Sequence, residues 1–135
     1  MDGNENKMPD SEKITINMAA VDLGKVDLLV QEGLYSNRTD FIRTAIRSQL
    51  DKHALEIQQS VTRHSSVVGV LVYDRADFEK RQARGEKINL SIVGVLHLAG
   101  DITPELARAV VESIQVLGVF NASDAVKAAL ADRMK

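Results

Sequence analysis

The sequence predicts an α+β chain. An N-terminal strand-helix-helix unit, built to fold with a second copy, precedes a small α/β domain of about three mainly parallel strands. Three observations carry this. Residues 13–18, KITINM, alternate polar and apolar like a half-buried strand, yet no strand signal follows for about fifty residues. Two stretches with helical spacing come next. The second half then repeats one short apolar pattern three times, as Val67-Val68-Gly69-Val70-Leu71, Ile92-Val93-Gly94-Val95-Leu96 and Val116-Leu117-Gly118-Val119-Phe120.

Residues 1–11 are polar and are expected to form a flexible tail. In the strand, Lys13, Thr15 and Asn17 face one way and Ile14, Ile16 and Met18 the other. Over residues 20–32, Leu23, Val26, Leu29 and Val30 share a helical face, and Gly33 stands where a glycine stop belongs. Met18-Ala19-Ala20 offers this helix no side-chain cap, and Gly24 inside it costs roughly 1 kcal/mol against alanine. Ser36 is expected to cap the second helix, with Asn37, Arg38 and Thr39 as its first turn. Phe41, Ile42, Ala45, Ile46 and Leu50 form that helix's apolar stripe, and no breaker stops it in the fifties.

A lone strand before two helices has one well-attested solution. Two chains pair their strands antiparallel across a two-fold axis, and four helices cover one face of the ribbon. Ile14, Ile16, Met18, Val26, Leu29, Phe41, Ile42 and Ile46 then form a shared dimer core. A two-stranded ribbon fits the major groove of B-DNA. Lysine suits guanine, asparagine suits adenine, and threonine offers a hydroxyl or touches a thymine methyl.

Residues 12–50, EKITINMAAVDLGKVDLLVQEGLYSNRTDFIRTAIRSQL, resemble a ribbon-helix-helix DNA-binding domain of the CopG type found in bacterial regulators. The strand alternation, the Gly33 turn, the Tyr35-Ser36-Asn37-Arg38-Thr39 helix start and the Phe41-Ile42-Arg43-Thr44-Ala45-Ile46 run occur together and in order. The resemblance implies an obligate homodimer, with base contacts from Lys13, Thr15 and Asn17. It also implies phosphate contacts at the start of the second helix from Ser36, Asn37 and Arg38. A helix N-terminus has unpaired N–H groups and a positive dipole end, which gives that last role a physical basis. Arg43 and Arg47 share a helix face and are read as solvated, with Arg47 near Asp51.

Charge tempers this reading. Residues 11–53 hold six Lys or Arg and six Asp or Glu, so non-specific DNA affinity should be modest and salt-dependent. The whole chain of 135 residues carries a formal charge of −2. It contains no Cys, which excludes disulfides, thiol nucleophiles and cysteinyl zinc sites. His53, His64 and His97 are too few and too scattered for a metal sensor, and Asp74, Asp77 and Glu79 lie among Lys80, Arg81 and Arg84 on a charged, solvated helix. No catalytic arrangement stands out, so neither an enzyme nor a cofactor or metal is expected. No apolar run is long enough for a membrane span and the N-terminal residues lack a secretory pattern, so a cytoplasmic protein without membrane partners is expected.

The domains expected are residues 12–58 for DNA and residues 65–135 for oligomerisation or sensing. In the second half, residues 74–87 suggest a helical turn plus loop. Thr103 with Pro104 opens a helix, and Ser123 caps the last one. The glycines of the repeat lie 25 and then 24 residues apart, within the range of stacked repeats. Unalternated apolar runs suggest strands covered on both faces, and long connections suggest parallel pairing. The function expected is a sequence-specific DNA-binding transcriptional regulator, as a repressor, with residues 65–135 joining dimers or sensing an effector. The alternatives are an antitoxin that represses its own genes, or an oligomeric DNA-organising scaffold.

Overall fold

The computed structural model describes residues 11–135. The chain is α+β and divides into two compact units, residues 13–60 and residues 61–135. The expected tail, residues 1–11, lies outside the described residues except for Ser11.

In the first unit, helix α1 spans Ala20–Gln31. No side chain caps its start at Ala19, as the sequence predicts. Its end is a glycine stop: Gly33 has φ +83°, and the amides of Gly33 and Leu34 return to the carbonyls of Val30 and Leu29, both at 3.0 Å. This is the left-handed closure that glycine permits without strain. Helix α2 spans Arg38–Lys52. The expected Ser36 cap is off by one residue. Asn37 caps the helix, its Oδ1 accepting the Asp40 amide at 2.8 Å, while the Ser36 amide donates to Asp40 Oδ2 at 2.9 Å. Both residue types cap well, so composition alone does not separate them.

The second helix also does not run on. His53, at φ −104° and ψ 15°, interrupts it and donates its amide to Leu50, after which α3 covers Ala54–Arg63. The break is a tightened last turn rather than a glycine or proline, which is why the sequence hides it.

The second unit alternates strand and helix. Its elements are β1 (Val67–Tyr73), α4 (Arg75–Ala83), β2 (Ile88–Leu98), α5 (Pro104–Val110), β3 (Val111–Asn121) and α6 (Asp124–Leu130). A 3-10 turn follows at Ala131–Arg133. The strands form one parallel sheet in the order β1-β2-β3. Residues 75–83 are a full helix rather than a single turn. Asp74 and Asp77 explain it, each accepting the other's amide at 2.9 Å in a reciprocal cap. Thr103 and Ser123 cap α5 and α6 as expected, by accepting the amides of Leu106 and Val126.

The repeat predicted from the apolar runs is the register of the sheet: Gly69 pairs with Gly94 and Gly94 with Gly118. All three hold positive φ, at +140°, +137° and +125°. A Cβ on Gly94 would stand 2.1 Å from the Gly69 carbonyl oxygen, and one on Gly118 2.1 Å from that of Gly94. Gly94 and Gly118 therefore each admit the preceding strand's carbonyl into the space of the missing side chain.

One expectation fails in the single chain. Helices α4, α5 and α6 cover one face of the sheet, while on the other face Val95 of the central strand is buried between its neighbours. Phe78 from α4, Leu106, Ala107 and Val110 from α5, and Val126 and Leu130 from α6 pack on Leu90, Ile92, Leu96, Leu98 and Ile114. On the opposite face Val68, Val70, Val72 and Leu117 are exposed. Three short helices are enough to cover one side of three strands. An unalternated run of valines does not tell a covered face from an open one.

Candidate nucleic-acid interface

The first unit cannot close a core from one chain. Val26 is its one buried hydrophobic residue, at 4% exposure. Leu29, Phe41 and Ile42 are half-buried, and α2 buries no residue fully. Ile14, Ile16, Met18, Val21, Leu28, Leu34, Ile46 and Leu50 are all exposed. So many large apolar side chains on so short a segment go well beyond the scatter of single apolar residues on ordinary surfaces.

Residues 13–18 form neither strand nor helix in the single chain. A strand requires a partner for its backbone groups, and none of the described segments supplies one. Lys13, Thr15 and Asn17 are exposed, as are their apolar neighbours. The alternation stands in the sequence, and the isolated chain leaves both sides of it in water.

The helix start that the sequence marks for phosphate is arranged in detail. Tyr35 meets Phe41 edge-on, with ring centroids 5.0 Å apart and planes at 84°, which fixes the entry of the chain into α2. Of the three residues named there, Asn37 is spent as the cap. The amide of Ser36 is taken by the Asp40 carboxylate. Arg38 is not a mobile charge: its Nε and Nη2 donate to Asp27 Oδ1 and Oδ2, both at 2.8 Å, tying α2 to α1. Arg38 holds the Asp27 carboxyl below the usual carboxylate range, mainly through the hydrogen bond and then by charge attraction. The same bond raises the Arg38 guanidinium above its ordinary value. Asp27 has the depressed folded-state value, so the pair's contribution is full above the usual carboxylate range and is lost as pH falls below that range, through the depressed folded value. Both groups are exposed, so the pair serves geometry more than stability.

Sequence reasoning missed this pair. The partners lie eleven residues apart on different helices, so no local spacing announces them. The consequence is chemical. At the start of α2 the Ser36 and Asp40 amides are taken by side chains, and the Arg38 guanidinium is already engaged by Asp27.

Elsewhere the described residues are sparse in site chemistry. No group of three His, Cys, Asp or Glu stands close enough to hold a metal ion. His53 bonds to Glu56 at 3.2 Å across the α2–α3 break. Glu79 pairs with Arg75 on α4, so that acidic segment is spent on caps and helix pairs. The register neighbours His97 and Asn121 keep Nδ1 and Nδ2 buried without a hydrogen-bond partner. No described helix is long and apolar enough to cross a membrane.

Comparison with known proteins identifies the family. A family model described as the ribbon-helix-helix transcriptional regulator family matches residues 9–127. No curated protein and no solved structure matches the chain.

Proposed function

We propose that this chain, which belongs to the ribbon-helix-helix transcriptional regulator family, is a sequence-specific repressor that works as a homodimer on double-stranded DNA. Residues 13–18 of two copies pair into an antiparallel ribbon and enter the major groove. Lys13, Thr15 and Asn17 face the bases, and Ile14, Ile16 and Met18 face the four helices. The observation that carries this reading is the single buried hydrophobic residue of residues 13–60, set against ten exposed large ones. That imbalance is what an intertwined dimer removes.

The start of α2 supports the ribbon from the side by offering amides to a phosphate. The even balance of charge in residues 11–53 puts the weight of recognition on base contacts rather than on non-specific attraction. Acting on DNA places the protein in the compartment that holds it. Residues 65–135 join dimers, so that neighbouring half-sites are engaged together and the second contact becomes intramolecular. The reaction asked of the protein is binding alone, with no cofactor or metal.

Asn17→Ala tests the readout. On the preferred site the substitution is expected to cost about 1–3 kcal/mol and to relax the base preference at one position per half-site. Affinity measured on the preferred and on an unrelated duplex, at one salt concentration, checks it. Equal losses on both duplexes would remove Asn17 from base reading.

A further inference from the structure

The glycine ladder has a rule and two open ends. Within the chain, the carbonyl of Gly69 enters the space beside Gly94, and the carbonyl of Gly94 enters the space beside Gly118. Gly69 adopts the same positive φ, yet nothing lies within 4 Å of where its Cβ would be. Its space is empty on the free edge of β1. At the other end Gly118 repeats the conformation, so its carbonyl is directed off the free edge of β3. A knob without a hole stands at one end and a hole without a knob at the other.

We propose that copies of this chain join head to tail through these edges, β3 of one copy pairing in parallel with β1 of the next, with Gly118 opposite Gly69. The interface continues one already present twice within the chain, in the same register and with the same carbonyl-to-glycine fit. The side chains agree with it. Extending the register sets Leu117 beside Val68 and Val119 beside Val70, on the face the helices leave open. Val68 is 62% exposed and Leu117 59%.

The rest of the edge leaves room. The C-terminal residues bridge β3 at Ile114, through Met134 and the Lys135 amide. The incoming β1 would begin opposite Val116, beyond that bridge. A strand edge with apolar flanks pairs readily unless something blunts it, and β1 carries no charge or proline over Val67–Tyr73. Stacked-repeat folds normally finish in polar caps, and this one presents a valine strand instead. The contact is heterologous, so it propagates into a ring or an open row rather than closing in pairs. It specifies how the proposed joining of dimers is made, and it does not depend on DNA binding.

The absence of cysteine makes the test direct. Full-length Val70→Cys and Val119→Cys proteins are prepared separately, mixed without DNA, and treated with a short bis-maleimide. The expected result is a two-chain adduct several-fold more abundant in the mixture than the sum from either protein alone. Adding Leu117→Lys to the Val119→Cys chain, at an exposed position that folding tolerates, should abolish it. An adduct formed as well by Val70→Cys alone would overturn the proposal in favour of a two-fold β1 pairing. No adduct above background in the mixture would overturn it outright. Failure here leaves the DNA reading standing, and failure to find a bound DNA sequence leaves this interface standing.

Discussion

Gly94→Val unfolds residues 61–135. The new Cβ would lie 2.1 Å from the Gly69 carbonyl oxygen and 3.0 Å from its carbon, on a backbone at φ +137°. Both contacts are main chain in the adjacent strand, so neither a rotamer change nor a flexible side chain relieves them. Strain of that kind, in a sheet interior, belongs among the substitutions that cost about 4 kcal/mol or more. A domain of this size holds about 5–15 kcal/mol in total. Gly69→Ala is the control. Its φ of +140° is as unfavourable, but its Cβ meets open space, so the cost expected in the isolated chain is about 1–3 kcal/mol. Urea unfolding followed by circular dichroism separates the two, and equal costs would mean that the carbonyl fit does not hold the sheet together.

Ile16→Lys removes the dimer of the first unit. In the isolated chain Ile16 is 61% exposed, so lysine there would be harmless to a monomer. In the proposed dimer the same position lies in the shared core, where an unpaired ammonium is far more costly than any surface change. The expected result is loss of dimer and of most helix in residues 13–60, with DNA binding abolished. Sedimentation equilibrium and circular dichroism on the full chain measure it. A folded Ile16→Lys dimer would place the other face of the strand inward and move the DNA-facing residues with it.

The two substitutions draw on different kinds of legibility. Local chemistry could be read residue by residue. The Gly33 stop, the bare start of α1 and the Thr103 and Ser123 caps each depend on one or two side chains acting on the nearest turn. The glycine repeat could be read as well, and it became the register of the sheet because parallel neighbours align their equivalent positions. What stayed hidden depends on more distant partners or on close competition. Asn37 and Ser36 compete for one cap. The break at His53 has no breaker residue. The start of β2 at Ile88 and of β3 at Val111 extends beyond the apolar runs, because Asn89, Ser91 and Ser113 can sit at sheet positions by hydrogen bonding sideways. Ser66 and Ser91 meet at 2.8 Å, and Ser113 and Asn89 at 2.6 Å.

The candidate site divides the same way. The strand alternation and the helix start were visible because each is local. The engagement of Arg38 by Asp27 was not, since it joins two helices. Whether Lys13, Thr15 and Asn17 meet bases is a property of two chains and a duplex together, which no single chain displays.

That last point is the centre of the account, and selection of bound sequences from random duplex DNA addresses it most directly. Wild type and a Lys13→Ala, Thr15→Ala, Asn17→Ala variant would be run side by side at the same salt concentration. The account predicts that wild type enriches a palindromic or repeated site, and that the triple variant, with its dimer intact, enriches none. Enrichment of the same site by both proteins, or of no site by either, would contradict it.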